Sequence, residues 1–315
     1  MPLYSIVVPV YNSEKSLAIL HERLVKVFDE VIKAPFELIL VDDCSKDSSY
    51  KVILDLISKD TRVKGVQLAV NHGQQKAVLC GMRYVSGDFV ITMDDDLQHP
   101  PEEIPKLIEK LNSSDDIDVV IGTYDSKKAG IIRKFGTKLM DISSDMIFKK
   151  PKGLKLSSFR LMKRYVADNL KEVTISKPTV GPLLLQTTKR IANAEIRHDA
   201  RQFGKSGYSF GQLVKTFFSN MMTNSDLPLK AVSFVGVLSF IASIALLIYL
   251  VVRYFASGIS IAGWTSTISL ILFFGGMILF SIGIIGKYLT NIMQEAKKMP
   301  SFLVRREDGT DAKKM

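Results

Sequence analysis

Two long apolar segments in the carboxyl-terminal third of the chain limit its possible folds more than any other feature. Residues 231 to 252 (AVSFVGVLSFIASIALLIYLVV) contain no charged residue, and neither do residues 259 to 286. Each segment exceeds the roughly 20 residues that a helix needs to cross a bilayer. Core helices of a globular protein seldom run so far without a polar face. The sequence therefore predicts a hairpin of two membrane-spanning helices, at about 231–252 and 264–286.

The basic residues predict how this hairpin is oriented. The loop between the spans carries only Arg253, at its edge, and Lys230 precedes the first span. Five cations follow the second span: Lys287, Lys297, Lys298, Arg305 and Arg306. Because basic residues are retained on the cytoplasmic side, we expect a multi-pass protein of the plasma membrane with both termini in the cytoplasm. The first residues, YSIVVPVYN, lack the basic flank of a signal peptide and predict a buried strand.

The formal net charge of +10 raises the question of a nucleic-acid partner. The basic residues are scattered, however, and no signature of an RNA- or DNA-binding module occurs. We expect no nucleic acid, and attraction to anionic lipid headgroups accounts for the charge. The two cysteines, Cys44 and Cys80, lack metal-ligand spacing and are predicted to be free packing thiols.

The first 125 residues alternate between β-branched apolar runs and segments of helical periodicity. Five runs are predicted strands: 4–10, 36–42, 63–69, 88–94 and 117–123. Predicted helices include 13–32, with Ser13 as the candidate N-cap, and 47–60. Strands that are apolar on both faces and alternate with helices indicate a mainly parallel sheet covered on both sides. The predicted fold class is therefore α/β, with a Rossmann-like, doubly wound sheet.

Polar clusters follow four of the predicted strands: YNSE, DDCSKD, NHGQQ and DDDLQ. The carboxyl ends of parallel strands meet at one edge of the sheet, where such sheets bind ligands. Turn chemistry alone would explain any single cluster. The turns at the opposite edge show no comparable enrichment, so the four clusters together predict one ligand-binding crevice.

Three consecutive aspartates, Asp94, Asp95 and Asp96, end the fourth of these strands. On an extended strand, residues i and i+2 project to the same side, so Asp94 and Asp96 can converge on one point. Two carboxylates suit Mg²⁺ or Mn²⁺, and Gln98 can add a carbonyl oxygen. The pattern predicts a divalent-metal site that holds a diphosphate. For Asp95 two interpretations stay open: it binds ligand hydroxyl groups, or it is solvated.

Five stretches, in this order along the chain, carry a family resemblance: SIVVPVYN, LILVDDCSKD, NHGQQKAVLCGM, GDFVITMDDDLQHPPEEIP and RQFGKSGYSF. Followed by two apolar segments, they resemble the polyprenyl-phosphate glycosyltransferases of the inverting GT-A class. This group includes dolichyl-phosphate mannose synthase and the bacterial undecaprenyl-phosphate sugar transferases. The similarity covers nearly the whole chain.

The resemblance implies transfer of one sugar from a nucleotide-sugar, with UDP-sugars favoured, to undecaprenyl phosphate or a similar polyprenyl phosphate. The product would be a lipid-linked sugar for cell-envelope glycan or lipid modification. The implied ligands of the metal are Asp94, Asp96 and Gln98, and the implied nucleoside contacts are Pro9, Tyr11, Asp42 and Asp43. The resemblance also implies a homo-oligomer, a tetramer.

The chain departs from the family pattern at three positions. Ser13 stands where relatives usually have Glu, and Cys44 stands where they usually have Gly. Ser158 replaces an Asp that has been proposed as a general base in many relatives, which argues against a side-chain base here. None is required, because a lipid phosphate with a second pKa near 6 is largely a dianion at neutral pH.

A phosphate nucleophile that approaches a second anion requires positive charge around it. The candidates are Arg133, Lys134, Arg160, Arg201 and Lys205. Arg offers bidentate phosphate contacts, and we expect Arg133 and Arg201 to act with Asp96 in the transfer itself. Arg160 and Lys205, together with Asp95, are expected to bind substrate. Each cation taken alone is more often a solvated surface residue.

Two stretches, 131–148 and 207–222, have apolar residues at helical spacing and predict helices at the membrane surface, although packing on the protein's own core gives the same pattern. The predicted organisation is a catalytic domain over residues 1–206, an interfacial helix over 207–228, two membrane helices within 229–290 and a cytoplasmic tail over 291–315.

Two alternatives stay open. A processive polysaccharide synthase would normally carry a QxxRW motif, but the only tryptophan is Trp264, inside the second apolar segment. A non-catalytic membrane scaffold would have no use for the intact Asp94, Asp96 and Arg201.

Overall fold

The computed structural model describes residues 1–124, 151, 153–175, 178–197, 199, 227–257, 263–296 and 300–310. These residues belong to two compact units, an α/β unit and a helical unit. The predicted surface helices, 131–148 and 207–222, lie outside the described residues. The predicted domain boundaries stay predictions.

In the α/β unit, strands and helices alternate as the sequence predicts. The first strands and helices are β1 (Tyr4–Val10), α1 (Leu17–Lys26), β2 (Phe36–Asp42), α2 (Ser49–Lys59), β3 (Val63–Leu68), α3 (Gln74–Gly81), β4 (Phe89–Thr92), α4 (Ile104–Asn112) and β5 (Val119–Thr123). They are followed by β6 (Arg160–Lys163), α5 (Arg164–Lys171), α6 (Val180–Thr187), β7 (Ile191–Glu195) and, far along the chain, β8 (Val304–Asp308). The strands predicted at 4–10 and 36–42 are confirmed residue for residue, and the other three are shorter than predicted.

The strands form one eight-stranded sheet in the order β7-β5-β6-β4-β1-β2-β3-β8. The central strands β4, β1, β2 and β3 are parallel, whereas β6 runs antiparallel to both β4 and β5. β8 is antiparallel to β3 at one edge of the sheet. The predicted α/β class with a mainly parallel sheet is confirmed.

Both faces of the central strands are buried because apolar side chains predominate on each face. In β1, Ile6 and Val8 pack into a core with α1, α2 and α4, while Val7 packs on the other face with α3, α5 and α6. Each fully buried aliphatic side chain contributes roughly 1.5 to 3 kcal/mol. Helix α3 approaches the sheet closely at Gly81, where a Cβ atom would lie 2.3 Å from Val7 Cγ1. Any larger residue at position 81 would separate the helix from the sheet.

The first helix differs in part from the one that the sequence predicts over residues 13–32. Helix α1 begins at Leu17 and not at Ser13, and Ser13 makes no N-cap bond to it. Past Lys26 the helix continues as a π-helical turn, Val27–Ile32.

Cys44, which stands where relatives usually have Gly, has a φ of +58°. A left-handed backbone is unfavourable for residues with a side chain, which explains why the family pattern prefers Gly there.

The opposite edge of the sheet carries a buried polar cluster that the sequence did not predict. Glu37, at the start of β2, accepts hydrogen bonds from Ser5 Oγ (2.5 Å), Lys64 Nζ (2.6 Å) and both the N–H and hydroxyl of Ser86 (2.6 Å each). The expectation that this edge lacks polar enrichment is wrong. Burial alone would raise the pKa of Glu37, but its bonds to Lys64, Ser5 and Ser86 outweigh burial and hold the pKa below its usual range. Every partner is satisfied, so we interpret the cluster as structural.

The tail predicted from residue 291 has more structure than the sequence suggests. The preceding helix continues to Ala296, and residues 304–308 form β8 of the sheet. Tyr50 donates to Asp308 (2.6 Å) and Tyr84 donates to Glu307 (2.6 Å) across this edge. The α/β unit is therefore completed by residues from the end of the chain.

The helical unit contains two long helices, α7 (Leu227–Ser257) and α8 (Trp264–Ala296), where the sequence predicts two spans. Large apolar side chains on both helices are exposed, among them Phe234 at 65% and Leu279 at 71%. Among the described residues, Phe273–Met293 is the one helical stretch long and apolar enough to cross a membrane, and Pro228–Ser239 is a shorter apolar stretch. The second predicted span, 264–286, overlaps this stretch, and both lie within α8.

Candidate active site

The predicted crevice lies at the carboxyl edge of the sheet, where β1, β2, β3 and β4 all end. Because β6 is antiparallel to β4, it begins at this same edge, with Arg160 opposite Thr92. Thr92 Oγ1 donates to the carbonyl oxygen of Ser158 (2.7 Å) and holds the start of β6 beside the aspartate turn. The topology therefore adds residues from position 158 onward to the four clusters that the sequence predicts.

Asp94 is held by side chains from two other segments. Its Oδ1 accepts from Gln74 Nε2 (2.5 Å), and its Oδ2 accepts from Ser158 Oγ (2.6 Å). His99 lies below it, with Nδ1 3.8 Å from Asp94 Oδ2, and stacks on Phe159 at a centroid distance of 5.4 Å. A carboxylate oxygen that accepts one hydrogen bond keeps a second lone pair. Asp94 is thus oriented by the protein yet still able to bind a ligand.

Asp96 and Gln98 lie in a tight turn that follows β4. Leu97 between them is fully buried and has a φ of +61°. Asp96 Oδ1 accepts the N–H of Gln98 (3.1 Å), and the carbonyl oxygen of Gln98 accepts the N–H of Asp199 (3.0 Å). Burial of Leu97 anchors this turn, so the neighbouring polar side chains are left at the surface of the crevice.

Asp95 is bound by the protein rather than solvated. Its Oδ2 accepts the N–H of Tyr11 (3.0 Å) and the hydroxyl of Ser13 (2.5 Å). Burial raises the pKa of Asp95 to about 6. These contacts connect the loop after β1 to the aspartate turn. Ser13 therefore binds Asp95 and does not cap a helix. A contact of Asp95 with donor hydroxyl groups stays a prediction.

Asp42 and Asp43 are both buried and organise the neighbouring loops. Asp42 accepts the N–H of Ser45 (3.2 Å) and Gln67 Nε2 (3.2 Å). Asp43 accepts the N–H groups of His72 (2.6 Å) and Gly73 (2.7 Å), one on each carboxylate oxygen. Burial raises the pKa of Asp43, although the two N–H groups oppose this effect.

The other predicted nucleoside contacts differ in exposure. Pro9 is buried inside β1, opposite Val41 of β2. Tyr11, just past the end of β1, is 44% exposed. An exposed aromatic ring just past the end of β1 can stack on a ligand, whereas the buried Pro9 offers a ligand little surface.

Arg160 is the one predicted cation among the described residues, and it is only 6% exposed. Its Nε has no hydrogen-bond partner in the described part of the chain. Burial lowers the pKa of Arg160 to about 10, and Asp94 opposes this effect, so the guanidinium stays charged at neutral pH. Arg133, Lys134, Arg201 and Lys205 lie outside the described residues.

Sequence reasoning missed three residues that the fold brings to the site. Gln74 and Ser158 orient Asp94, and His72 contributes the N–H that binds Asp43. Gln74 and His72 belong to the NHGQQ cluster, whose position after β3 was the available signal. Individual roles could not be assigned because each contact joins segments that are far apart in the sequence.

The oxygen atoms at this site suit a divalent cation that is coordinated both by the protein and by a bound anion. Among the described residues, no three His, Cys, Asp or Glu side chains are arranged to hold a metal ion. Asp94, Asp96 and the amide oxygen of Gln98 are hard oxygen donors, which Mg²⁺ and Mn²⁺ prefer. Such a set leaves positions for phosphate oxygens and water rather than enclosing the ion.

Comparisons with known proteins agree with this geometry. A model of the family described as glycosyl transferase family 2 matches residues 5–170. The chain is 32% identical to an uncharacterized glycosyltransferase of Bacillus subtilis (strain 168), over 99% of this chain and 96% of that protein. It is 31% identical to the undecaprenyl-phosphate 4-deoxy-4-formamido-L-arabinose transferase of Proteus mirabilis (strain HI4320), over 97% of this chain and 94% of that protein.

Among solved structures, the chain is similar to glucosyl-3-phosphoglycerate synthase from Mycobacterium tuberculosis in complex with Mn²⁺, UDP and phosphoglyceric acid. The TM-score is 0.54 at 18% identity, covering 71% of this chain and 78% of that chain. At this level of identity the likeness concerns the fold.

Proposed function

The chain belongs to glycosyltransferase family 2, and from this premise we propose that it transfers a single sugar from a nucleotide-sugar to a polyprenyl phosphate, with inversion. Undecaprenyl phosphate is the acceptor we expect, and a UDP-sugar the donor. The observation that carries the proposal is the similarity to an undecaprenyl-phosphate sugar transferase over 97% of the chain. That similarity extends well beyond residues 5–170, to which the family model is confined.

We propose that Asp94, Asp96 and Gln98 hold a divalent cation together with the donor diphosphate. A bound cation would supply positive charge for the departing nucleoside diphosphate. The solved relative of the same fold contains Mn²⁺ together with UDP, which supports this assignment. Gln74 and Ser158 would keep Asp94 oriented toward the ligand through their hydrogen bonds.

The acceptor phosphate would attack the anomeric carbon from the face opposite the diphosphate, which inverts its configuration. The dianion needs no base, and Ser158 Oγ is already committed to Asp94. Arg160 is the described cation best suited to face an anion, because its buried guanidinium has an Nε without a hydrogen-bond partner among the described residues.

The experiment that tests this function is a transfer assay with the purified, detergent-solubilised protein. Undecaprenyl phosphate would be incubated with a panel of UDP- and GDP-sugars, with Mn²⁺ or Mg²⁺ present. We expect one donor to yield an alkali-stable lipid-linked sugar, and undecaprenol without the phosphate to yield none. Failure of every donor, or equal transfer to undecaprenol, would reject the proposed acceptor.

We also propose that α7 and α8 both cross the membrane and that the catalytic unit is cytoplasmic. β8 follows these helices but lies in the same sheet as β3, so the chain before and after the helices must lie on one side of the bilayer. One crossing would separate them, whereas two return the chain to its starting side. The predicted tetramer stays a prediction.

A topology experiment checks this proposal. A reporter fused after Met315 is expected in the cytoplasm, and one inserted between Tyr254 and Gly263 is expected outside, because positive residues flank the hairpin on its cytoplasmic side. Labelling of both reporters on the same side would exclude the two crossings, and reversed labelling would overturn the orientation.

Arg201→Lys is expected to slow transfer about tenfold or more, although the charge is preserved. A lysine ammonium cannot reproduce a two-pronged phosphate contact, and one charge-assisted contact contributes about 1.5 to 3 kcal/mol. The rate of transfer and the affinity for UDP or GDP with Mn²⁺ would be measured together. If Arg201→Lys and Arg201→Ala both transfer at the parental rate, the acceptor site is to be sought around Arg133.

A further inference from the structure

The end of the chain enters the sheet beside the donor site. We call residues 301–308, which contain β8, the C-terminal strap. Because β8 is antiparallel to β3, its first residue, Val304, pairs with the last residue of β3, Leu68. The start of the strap thus lies at the carboxyl edge of the sheet, next to the loop that follows β3.

Leu303 of the strap makes two hydrogen bonds with this loop. Its carbonyl oxygen accepts the N–H of Ala69 (2.8 Å), and its own N–H donates to His72 Nε2 (3.2 Å). Phe302 next to it is buried in the core and lies 4.6 Å from the guanidinium carbon of Arg83, measured to the ring centroid. The strap is therefore firmly seated where it meets the loop.

Loop 71–74, which ends at the first residue of α3, holds two of the carboxylates that the sequence assigns to the donor site, Asp43 and Asp94. The N–H groups of His72 and Gly73 donate to Asp43, and Gln74 donates to Asp94. Gly73 has a φ of +87°, a conformation that turns the two N–H groups toward one carboxylate. A displacement of this loop would disturb both ends of the donor site.

His72 connects the two sets of contacts. Its ring accepts a hydrogen bond from the strap, while its backbone donates to Asp43. Nε2 can accept only when the imidazole is neutral. Burial, aided by Lys76, lowers the pKa of His72 and keeps it in this form, although Asp43 acts in the opposite direction.

We propose that His72 is a positioning residue through which the C-terminal strap holds loop 71–74 in the conformation that binds the nucleotide. The proposal rests on the proposed function, because it assumes that a nucleotide is the ligand at Asp43 and Asp94. It assigns the segment beyond the last helix a role in donor binding.

The remaining contacts of the strap allow this role to be separated from stability. Tyr84 donates to Glu307 and Tyr50 donates to Asp308, both at the far end of β8. Loss of the Leu303–His72 bond leaves these anchors intact, so the strap should stay attached while the loop loosens. Tyr84→Phe, conversely, weakens the strap without touching the loop.

Four variants of the full-length protein test the proposal. His72→Ala and Leu303→Pro remove the same hydrogen bond from its two sides, the first by deleting the acceptor and the second by deleting the N–H. His72→Gln restores an acceptor on a side chain of similar reach. Tyr84→Phe is the matched control, since it also loses one hydrogen bond to the strap.

Binding of UDP and of GDP, each with Mn²⁺, would be measured by calorimetry, and amide exchange by mass spectrometry on the peptide that covers 69–80. We expect His72→Ala and Leu303→Pro each to weaken binding of the preferred nucleotide about tenfold, the effect of one lost hydrogen bond. Exchange of the loop amides should rise in both. The double variant His72→Ala/Leu303→Pro should bind the nucleotide little more weakly than either single variant, because both changes remove the same hydrogen bond. His72→Gln and Tyr84→Phe should stay within about threefold of the parental affinity.

The outcomes separate this inference from the proposed function. If the parental protein binds neither nucleotide, the proposed donor class is wrong and the inference fails with it. If the parental protein binds but His72→Ala and Leu303→Pro bind equally well, the inference alone is overturned. An equal loss in Tyr84→Phe would also overturn it, because the strap would then act through general stability. Should one of the two principal variants fail to fold, the other decides.

Discussion

Asp96→Asn is expected to abolish sugar transfer while leaving the chain folded. In the structure, Asp96 Oδ1 accepts the N–H of Gln98, and the amide oxygen of asparagine can accept the same bond, so the turn should persist. The variant loses one negative charge from the proposed metal and diphosphate site. Metal-assisted charge stabilisation amounts to several kcal/mol, so we expect the rate to fall at least about a hundredfold.

The rate of transfer would be measured at saturating Mn²⁺ and Mg²⁺, with Asp116→Asn as the control. Asp116 is an exposed aspartate before β5, away from the crevice, and its substitution should leave the rate unchanged. A parental rate in Asp96→Asn would contradict the metal assignment. Reduced activity together with loss of the folded state would instead place Asp96 among the residues that stabilise the turn.

Glu37→Gln is expected to destabilise the α/β unit by about 2 to 3 kcal/mol, without any direct effect on the crevice. Glu37 is 6% exposed and neutralises Lys64 at the opposite edge of the sheet. Removing one charge of a largely buried pair leaves the other uncompensated. The Lys64 side chain keeps 22% of its exposure, and the expected cost is therefore placed just below the roughly 3 to 5 kcal/mol typical of fully buried pairs.

The sign of the pH dependence follows from the lowered pKa of Glu37. A carboxyl group whose pKa is lower in the folded state stabilises the protein above its unfolded-state pKa, and this contribution is lost as the pH falls. The parental protein should therefore exceed Glu37→Gln in stability at pH 7, and the difference should shrink as the pH falls below about 4.5, the ordinary value for glutamate.

The only tryptophan, Trp264, begins α8 and does not report on the α/β unit. Cys80 does, because its thiol is fully buried in α3. With Cys44 replaced by Gly, the rate at which a thiol reagent labels Cys80 at pH 7 follows opening of this unit. We expect labelling to be roughly 30 to 150 times faster in Glu37→Gln, the factor that corresponds to about 2 to 3 kcal/mol. Glu30→Gln, at an exposed glutamate in the π-helical turn after α1, is the control and should label at the parental rate.

Most of the fold could be predicted from the sequence because its signals are local. β1 and β2 are buried along their whole length and mostly apolar on both faces, as is typical of parallel strands, and both were predicted with the correct bounds. The helices α7 and α8 likewise follow from long uncharged runs. The aspartate cluster was found for the same reason, since three consecutive aspartates after an apolar run are visible in the sequence. The extended strand assumed through Asp94 and Asp96 was wrong, because β4 ends at Thr92 and the aspartates lie in the turn that follows.

The rest depends on contacts between residues that are far apart in the chain. Ser13 bonds to Asp95 across 82 positions, and the strap reaches His72 across 231. No periodicity within a short window records which loop a polar side chain will meet, because Ser, Asp and His are equally compatible with turns and with solvent. The sequence alone therefore determined the first five strands, the apolar helices and the position of the aspartate cluster after β4. Only the tertiary structure decided that Asp42, Asp43 and Asp95 bind loops, and that the end of the chain completes the sheet, because these outcomes depend on strand order.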